Sequence, residues 1–134
     1  MRNTKHSIKT KAALVGVGLI ICGSATAFAD TTSHGFSDSI PAFQQSHYLN
    51  SYQRSSSTAN STIKFTAISD SQLMNVKAQN LQTNGEYTEL NGIGVGSLVG
   101  IVNKTPAGQM SRLVITNHDW NFLSPTATGT FVIH

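Results

Sequence analysis

From Ser61 onward the apolar side chains recur at every second position, and no window holds the spacing of a helix. In "STIKFTAIS", Ile63, Phe65 and Ala67 fall on one side of an extended chain and Thr62, Lys64 and Thr66 on the other. "LMNVKAQ" repeats the pattern, with Met74, Val76 and Ala78 inward and Asn75 and Lys77 outward. Successive side chains of a strand point to opposite faces, so the alternation predicts half-buried strands. "SLVGIVN", "SRLVITN" and "TGTFVIH" are further short runs rich in β-branched residues, separated by "KTPAGQ" (104–109) and "HDWNFLSPTA". Asn84-Gly85 is a strong hairpin signal, because both residues tolerate positive φ. "SDSQ" (69–72) has the chemistry of a hairpin loop, since Ser and Asp bond back to local backbone. Five or six short strands over 61–134 predict an all-β fold, a small antiparallel β-sandwich or barrel.

The start of the chain reads differently. Arg2, Lys5, Lys9 and Lys11 carry no acid among them, and the apolar run Ala12 to Cys22 follows. Small residues then lead to Ala27-Phe28-Ala29 and Asp30. A positive start, a short apolar stretch and an A-x-A site predict a signal peptide over 1–29, cleaved after Ala29 or, second, after Ala27. The run is too short to cross a hydrocarbon core, which takes about 20 residues. A lipid anchor at Cys22 is the competing reading, and the branched Ile21 before it argues against that processing. No sorting motif or apolar tail stands at the other end, so the expectation is release into the medium or loose retention at the cell wall.

Loss of the leader changes the charge. The +3 of the 134 residues becomes −1, with Arg54, Lys64, Lys77, Lys104 and Arg112 set against Asp30, Asp38, Asp70, Glu86, Glu89 and Asp119. A nucleic-acid partner requires clustered cations to displace phosphate counterions, and these five are scattered singly. The single cysteine lies in the leader, so the exported chain forms no disulfide and holds together by burial. Hydroxyls and amides, not charges, dominate its expected surface, which suits sheet faces and turns.

Residues 30–60 lack a clear period. Phe36, Ile40, Phe43, Tyr48, Leu49 and Tyr52 are spaced too widely for a strand, Pro41 stops any helix, and "QRSSSTAN" (53–60) reads as a loop. The expectation is a partly disordered N-terminal arm, ordered where its aromatics touch the core.

No catalytic, cofactor or metal signature stands out. "NGIGVGSLVG" is neither G-x-G-x-x-G nor a P-loop, and reads as a strand or bulge relieved by glycine. His34, His47, His118 and His134 have no ligand spacing, so no metal site is expected. His118-Asp119 could orient a serine, yet no G-x-S-x-G elbow is present. "NHDWN" reads as a turn with Trp120 closing the core. Glu86 and Glu89 would point to opposite faces of one strand. Tyr48, Tyr52, Arg54 and Trp120 remain as the candidate binding surface, because aromatics and Arg are the usual anchors of interfaces and sugar platforms.

The export signal, "Y-x-x-S-Y-Q-R-S-S-S" at Tyr48 to Ser57, "N-S-T-I-K" at Asn60 to Lys64, "L-V-I-T-N" at Leu113 to Asn117 and "T-G-T-F" at Thr128 to Phe131 occur in that order. Together they resemble a family of small exported proteins of unknown function from Gram-positive bacteria. The chain departs from that pattern at Ile63, where a Trp is usual, and at "FVIH", which lacks an aromatic and an acidic tail. The resemblance implies an exported β-rich domain and no activity. The first expectation is a non-catalytic secreted protein acting by surface contacts, its partner being cell-envelope material or a secreted protein, with no cofactor. A bacteriocin-like, membrane-perturbing factor acting through Gly92–Val102 is the second, and a small secreted hydrolase the third.

Overall fold

The computed structural model describes residues 29–134. The expected signal peptide, with Cys22 and Ala27, lies outside the described residues apart from Ala29. Ten strands are present among the described residues: β1 (Ala29–Asp30), β2 (His34–Ser39), β3 (His47–Tyr48), β4 (Tyr52–Arg54), β5 (Ser61–Ile68), β6 (Met74–Asn80), β7 (Leu90–Ile93), β8 (Val99–Ile101), β9 (Met110–Asn117) and β10 (Thr126–Val132). They form two sheets. One has the order β1-β4-β9-β6-β7, with β3 also paired to β9; the other is β2-β10-β5-β8. Every pair is antiparallel except β1 with β4.

The all-β sandwich expected from the alternation is therefore present, and its core is the inward set of both sheets. Ile63 and Phe65 from β5 and Ala127 and Phe131 from β10 pack against Met74, Val76 and Ala78 from β6 and Leu113 and Ile115 from β9. Most of these are wholly removed from water. Each of the larger side chains among them contributes roughly 1.5–3 kcal/mol of burial free energy, and no disulfide is needed to hold the two faces together.

Three expectations require correction. Residues 30–60 are not a loosely ordered arm, since they supply β1 to β4 and so four of the ten strands. The β2 segment "HGFSDS" does alternate, with His34, Phe36 and Asp38 turned half inward and Gly35, Ser37 and Ser39 outward. Only one of its inward residues is apolar, which hid the period. "SDSQ" does turn the chain, with Asp70 and Ser71 at positive φ, but β5 and β6 lie in opposite sheets, so it is a crossover and not a hairpin loop. Ala67 is exposed, because the ladder slips between Thr128 and Gly129 and leaves Thr66 unopposed. A bulge of this kind reverses the phase of the strand beyond it. At that bulge a Cβ on Gly129 would overlap the Lys64 carbonyl oxygen, so only glycine fits there. The Asn84-Gly85 turn behaves as the sequence indicates: Asn84 has φ 57, and the Asn80 amide donates to the Gly85 carbonyl at 2.8 Å.

The connections sort to two ends. Segments 40–46, 69–73, 94–98 and 118–125 all cross between sheets at one end. They are stitched there by the amides of Ile40 to Pro125, Phe43 to Asn121 and His118 to Leu73. Segments 55–60, 81–89 and 102–109 lie at the other end.

Candidate functional site

The four residues singled out by the sequence do not share one surface. Arg54 is wholly buried and is no part of a contact face. Its Nε donates to the Thr105 carbonyl, Nη1 to those of Ala59 and Ile133, and Nη2 to that of Asn103, at 2.9–3.0 Å. Burial draws the guanidinium below its ordinary value, with Tyr87 acting in the opposite sense. Arg presents five donors in a rigid fork, and here the fork ties four stretches of chain together. Asn103 continues the network, its amide donating to the Ser61 and Ser111 hydroxyls and its oxygen accepting from the Thr105 amide. Arg54 is a structural hub.

Trp120 does not close the core. It is 61% exposed and stands on segment 118–125, beside Phe122 at 85% exposure. Phe43, from segment 40–46, lies between them, edge-on to Trp120 at 4.8 Å and to Phe122 at 5.2 Å. Phe43 and Gln44 both have φ 59, a conformation that bulky L-residues rarely adopt. Such strain costs of order 1–3 kcal/mol per residue and persists only where surroundings enforce it. The enforcing bonds are Phe43 N to the Asn121 carbonyl and Gln44 Nε2 to the His118 carbonyl at 2.7 Å. Asn121 in turn caps the Leu123 amide and donates to Gln72, so the turn chemistry expected of "NHDWN" is present while its Trp faces outward. Leu73, Val95 and Leu123 extend the apolar surface of this end. No Lys or Arg occurs in the four crossovers, and Asp70 and Asp119 are their only acidic residues.

Tyr48 and Tyr52 belong to a separate place, a groove of about 430 Å³ between β2 on one sheet and β3 and β4 on the other. Tyr52 stacks on His34 with ring centroids 3.7 Å apart. Tyr48 carries the Arg112 guanidinium 4.0 Å above its ring. Asp38 and His47 bridge the groove's two walls, Oδ2 to Nε2 at 3.0 Å. Sequence reasoning missed Asp38 and His47, nine positions apart; only the return of the chain from one sheet to the other joins them.

His118 is held through Nδ1 by Asn75 Oδ1 at 2.8 Å, and Asn75 also accepts from the Gly92 amide. Neither Asp119 nor a serine is bonded to it among the described residues. The described residues contain no group of three or more His, Cys, Asp or Glu able to hold a metal ion, and no helix among them is long and apolar enough to cross a membrane. The glycine-rich stretch 91–100 is the exit of β7, a bend over 94–98 and β8, with Gly92 and Gly96 at positive φ. Compared with protein-family models, with curated proteins and with solved structures, the chain matches none.

Proposed function

We propose that this chain is an exported, non-catalytic binding protein that attaches to cell-envelope material through its aromatic end. The observation that carries the reading is the Phe43–Trp120–Phe122 cluster: three rings held out in water on two crossovers, one of them on strained backbone. Exposed apolar surface of this kind marks an interaction site. Rings whose positions are already fixed lose little freedom on contact, and aromatics are the usual anchors of binding energy. With no cation at this end, attraction is apolar and not electrostatic, so retention should persist as salt is raised.

The test uses the sole tryptophan, Trp120. Purified cell-wall material should retain the exported protein and shift its tryptophan emission to the blue. The double variant Trp120→Ala with Phe122→Ala should wash through. Equal retention of that variant, or an emission spectrum indifferent to saturating wall material, removes the proposal. One observation favours a lipid target over wall polymer: Val95 at 57% and Leu98 at 61% exposure add aliphatic surface on a separate crossover, 94–98, at the same end of the sandwich. Dye release from vesicles at micromolar protein would select that second reading.

A further inference from the structure

The groove between β2 and β3–β4 is a second site, independent of the aromatic end. We infer that it binds an uncharged sugar, in the form of a short stretch of saccharide.

Its chemistry excludes the other small-ligand classes in turn. Asp38 stands on one wall, no Lys or Arg lines the groove, and Arg112, over the Tyr48 ring, is already bonded to Gln79, so the groove disfavours an anion. A cation would be repelled by the Arg112 guanidinium over the Tyr48 ring and would find a single carboxylate whose charge already faces His47. A wholly apolar ligand would strip water from Asp38, His47 and Asn50 and return no hydrogen bonds. A neutral sugar meets each need, because it offers hydroxyl pairs that donate and accept together with a C–H face that lies on an aromatic ring.

The polar groups required are present and unspent. Among the described residues, the side-chain amide of Asn50 and the hydroxyls of Tyr48 and Tyr52 make no hydrogen bond within the chain, and Asp38 uses only Oδ2. Phe36 and Phe131 also line the groove, and both pack in one aromatic group with Tyr52 and His34. The tyrosine rings are fixed before any ligand arrives, Tyr52 by His34 and Tyr48 by Arg112. A volume of about 430 Å³ sits at the small end of the roughly 300–1,000 Å³ of pockets that take small ligands, room for one or two pyranose rings.

The test is a titration of the 15N-labelled exported protein with cellobiose and with N,N′-diacetylchitobiose, followed by backbone amide shifts. Either disaccharide should produce saturable shifts confined to residues 35–38 and 48–52. Asp38→Asn and Asn50→Ala should each weaken binding roughly tenfold, the loss of about one hydrogen bond to a charged or well-placed polar group. Neither side chain is part of the core, and an amide spectrum unchanged elsewhere confirms that the fold is intact. Trp120→Ala should leave the titration unaltered, so failure here and failure of the aromatic contact are told apart. The inference is overturned if neither sugar moves the groove amides. It is equally overturned if Asp38→Asn and Asn50→Ala bind as the parent does, or if choline or acetate displaces the sugar.

Discussion

At one end of the sandwich a guanidinium is buried under backbone carbonyls, while at the other three aromatic rings stand in water. The two ends invert the usual sorting of residues, in which Arg is almost never fully buried unless paired and large apolar groups seek the interior. At the Arg54 end every donor of Asn103 and each of the three guanidinium nitrogens finds an oxygen. At the aromatic end, Asn117 Oδ1 is the one buried side-chain acceptor without a partner among the described residues, and Phe43 and Gln44 carry strained backbone. The buried side-chain network is concentrated at the end without exposed rings, and the exposed rings stand at the end whose crossovers are tied mainly through backbone groups and surface amides. That division lets the exposed rings change without unfolding the protein, and it predicts which substitutions are felt.

Arg54→Met should have the largest effect. It takes the guanidinium from the Ala59, Asn103 and Thr105 carbonyls, while Ile133 keeps the Ser61 hydroxyl, and each orphaned buried group costs about 1–3 kcal/mol. A loss of at least about 3 kcal/mol from a total of roughly 5–15 kcal/mol should appear as a sharply lowered urea midpoint. Arg54→Lys should fall nearly as far, because an ammonium cannot span the same four acceptors. A midpoint within experimental error of the parent would show that the hub is dispensable and would erase the contrast between the ends.

Next in size, Asn103→Ala should cost about 2 kcal/mol, since it leaves the buried Thr105 amide without its acceptor and removes one donor each from the Ser61 and Ser111 hydroxyls, which keep their bonds to the Ile133 and Gln79 carbonyls. The smallest change belongs to the other end. Trp120→Ala with Phe122→Ala should move stability by less than about 1 kcal/mol, the worth of an exposed edge-to-face contact, with no change in the slope of the urea transition. If this pair destabilised as much as Asn103→Ala, the rings would be holding the fold together and not offering a surface.

The contrast also explains what could be read from the sequence. Ile63, Phe65, Met74, Val76 and Ala78 announce their strands because their inward face meets an apolar core, where period and hydrophobicity coincide. β2 keeps the period without the hydrophobicity, because Asp38 lines an open groove and His34 stacks on Tyr52. Arg54 sits in a run of serines and threonines and reads as surface, since burial of a guanidinium depends on carbonyls from sequence positions as distant as Ile133. Trp120 reads as core on composition alone. Its outward pose is set by Asn121, whose bonds to Gln72, to Leu123 and to the Phe43 amide hold the tip of the crossover. Tyr48 and Tyr52 could be picked out as candidates from residue type, and both line the groove, but the Asp38–His47 bridge across it depends on the return of the chain from one sheet to the other.

Gly129 has a consequence for how the two longest strands of its sheet can align. The narrow spot facing the Lys64 carbonyl admits a hydrogen and nothing larger. Sliding β10 one place along β5 would drive the side chain of Thr128 or Thr130 into it, and sliding two places would drive in Ala127 or Phe131. Glycine thus works as a key cut for a single alignment. Misaligned pairings, which leave strands open to edge-to-edge aggregation, meet a steric penalty at this one position.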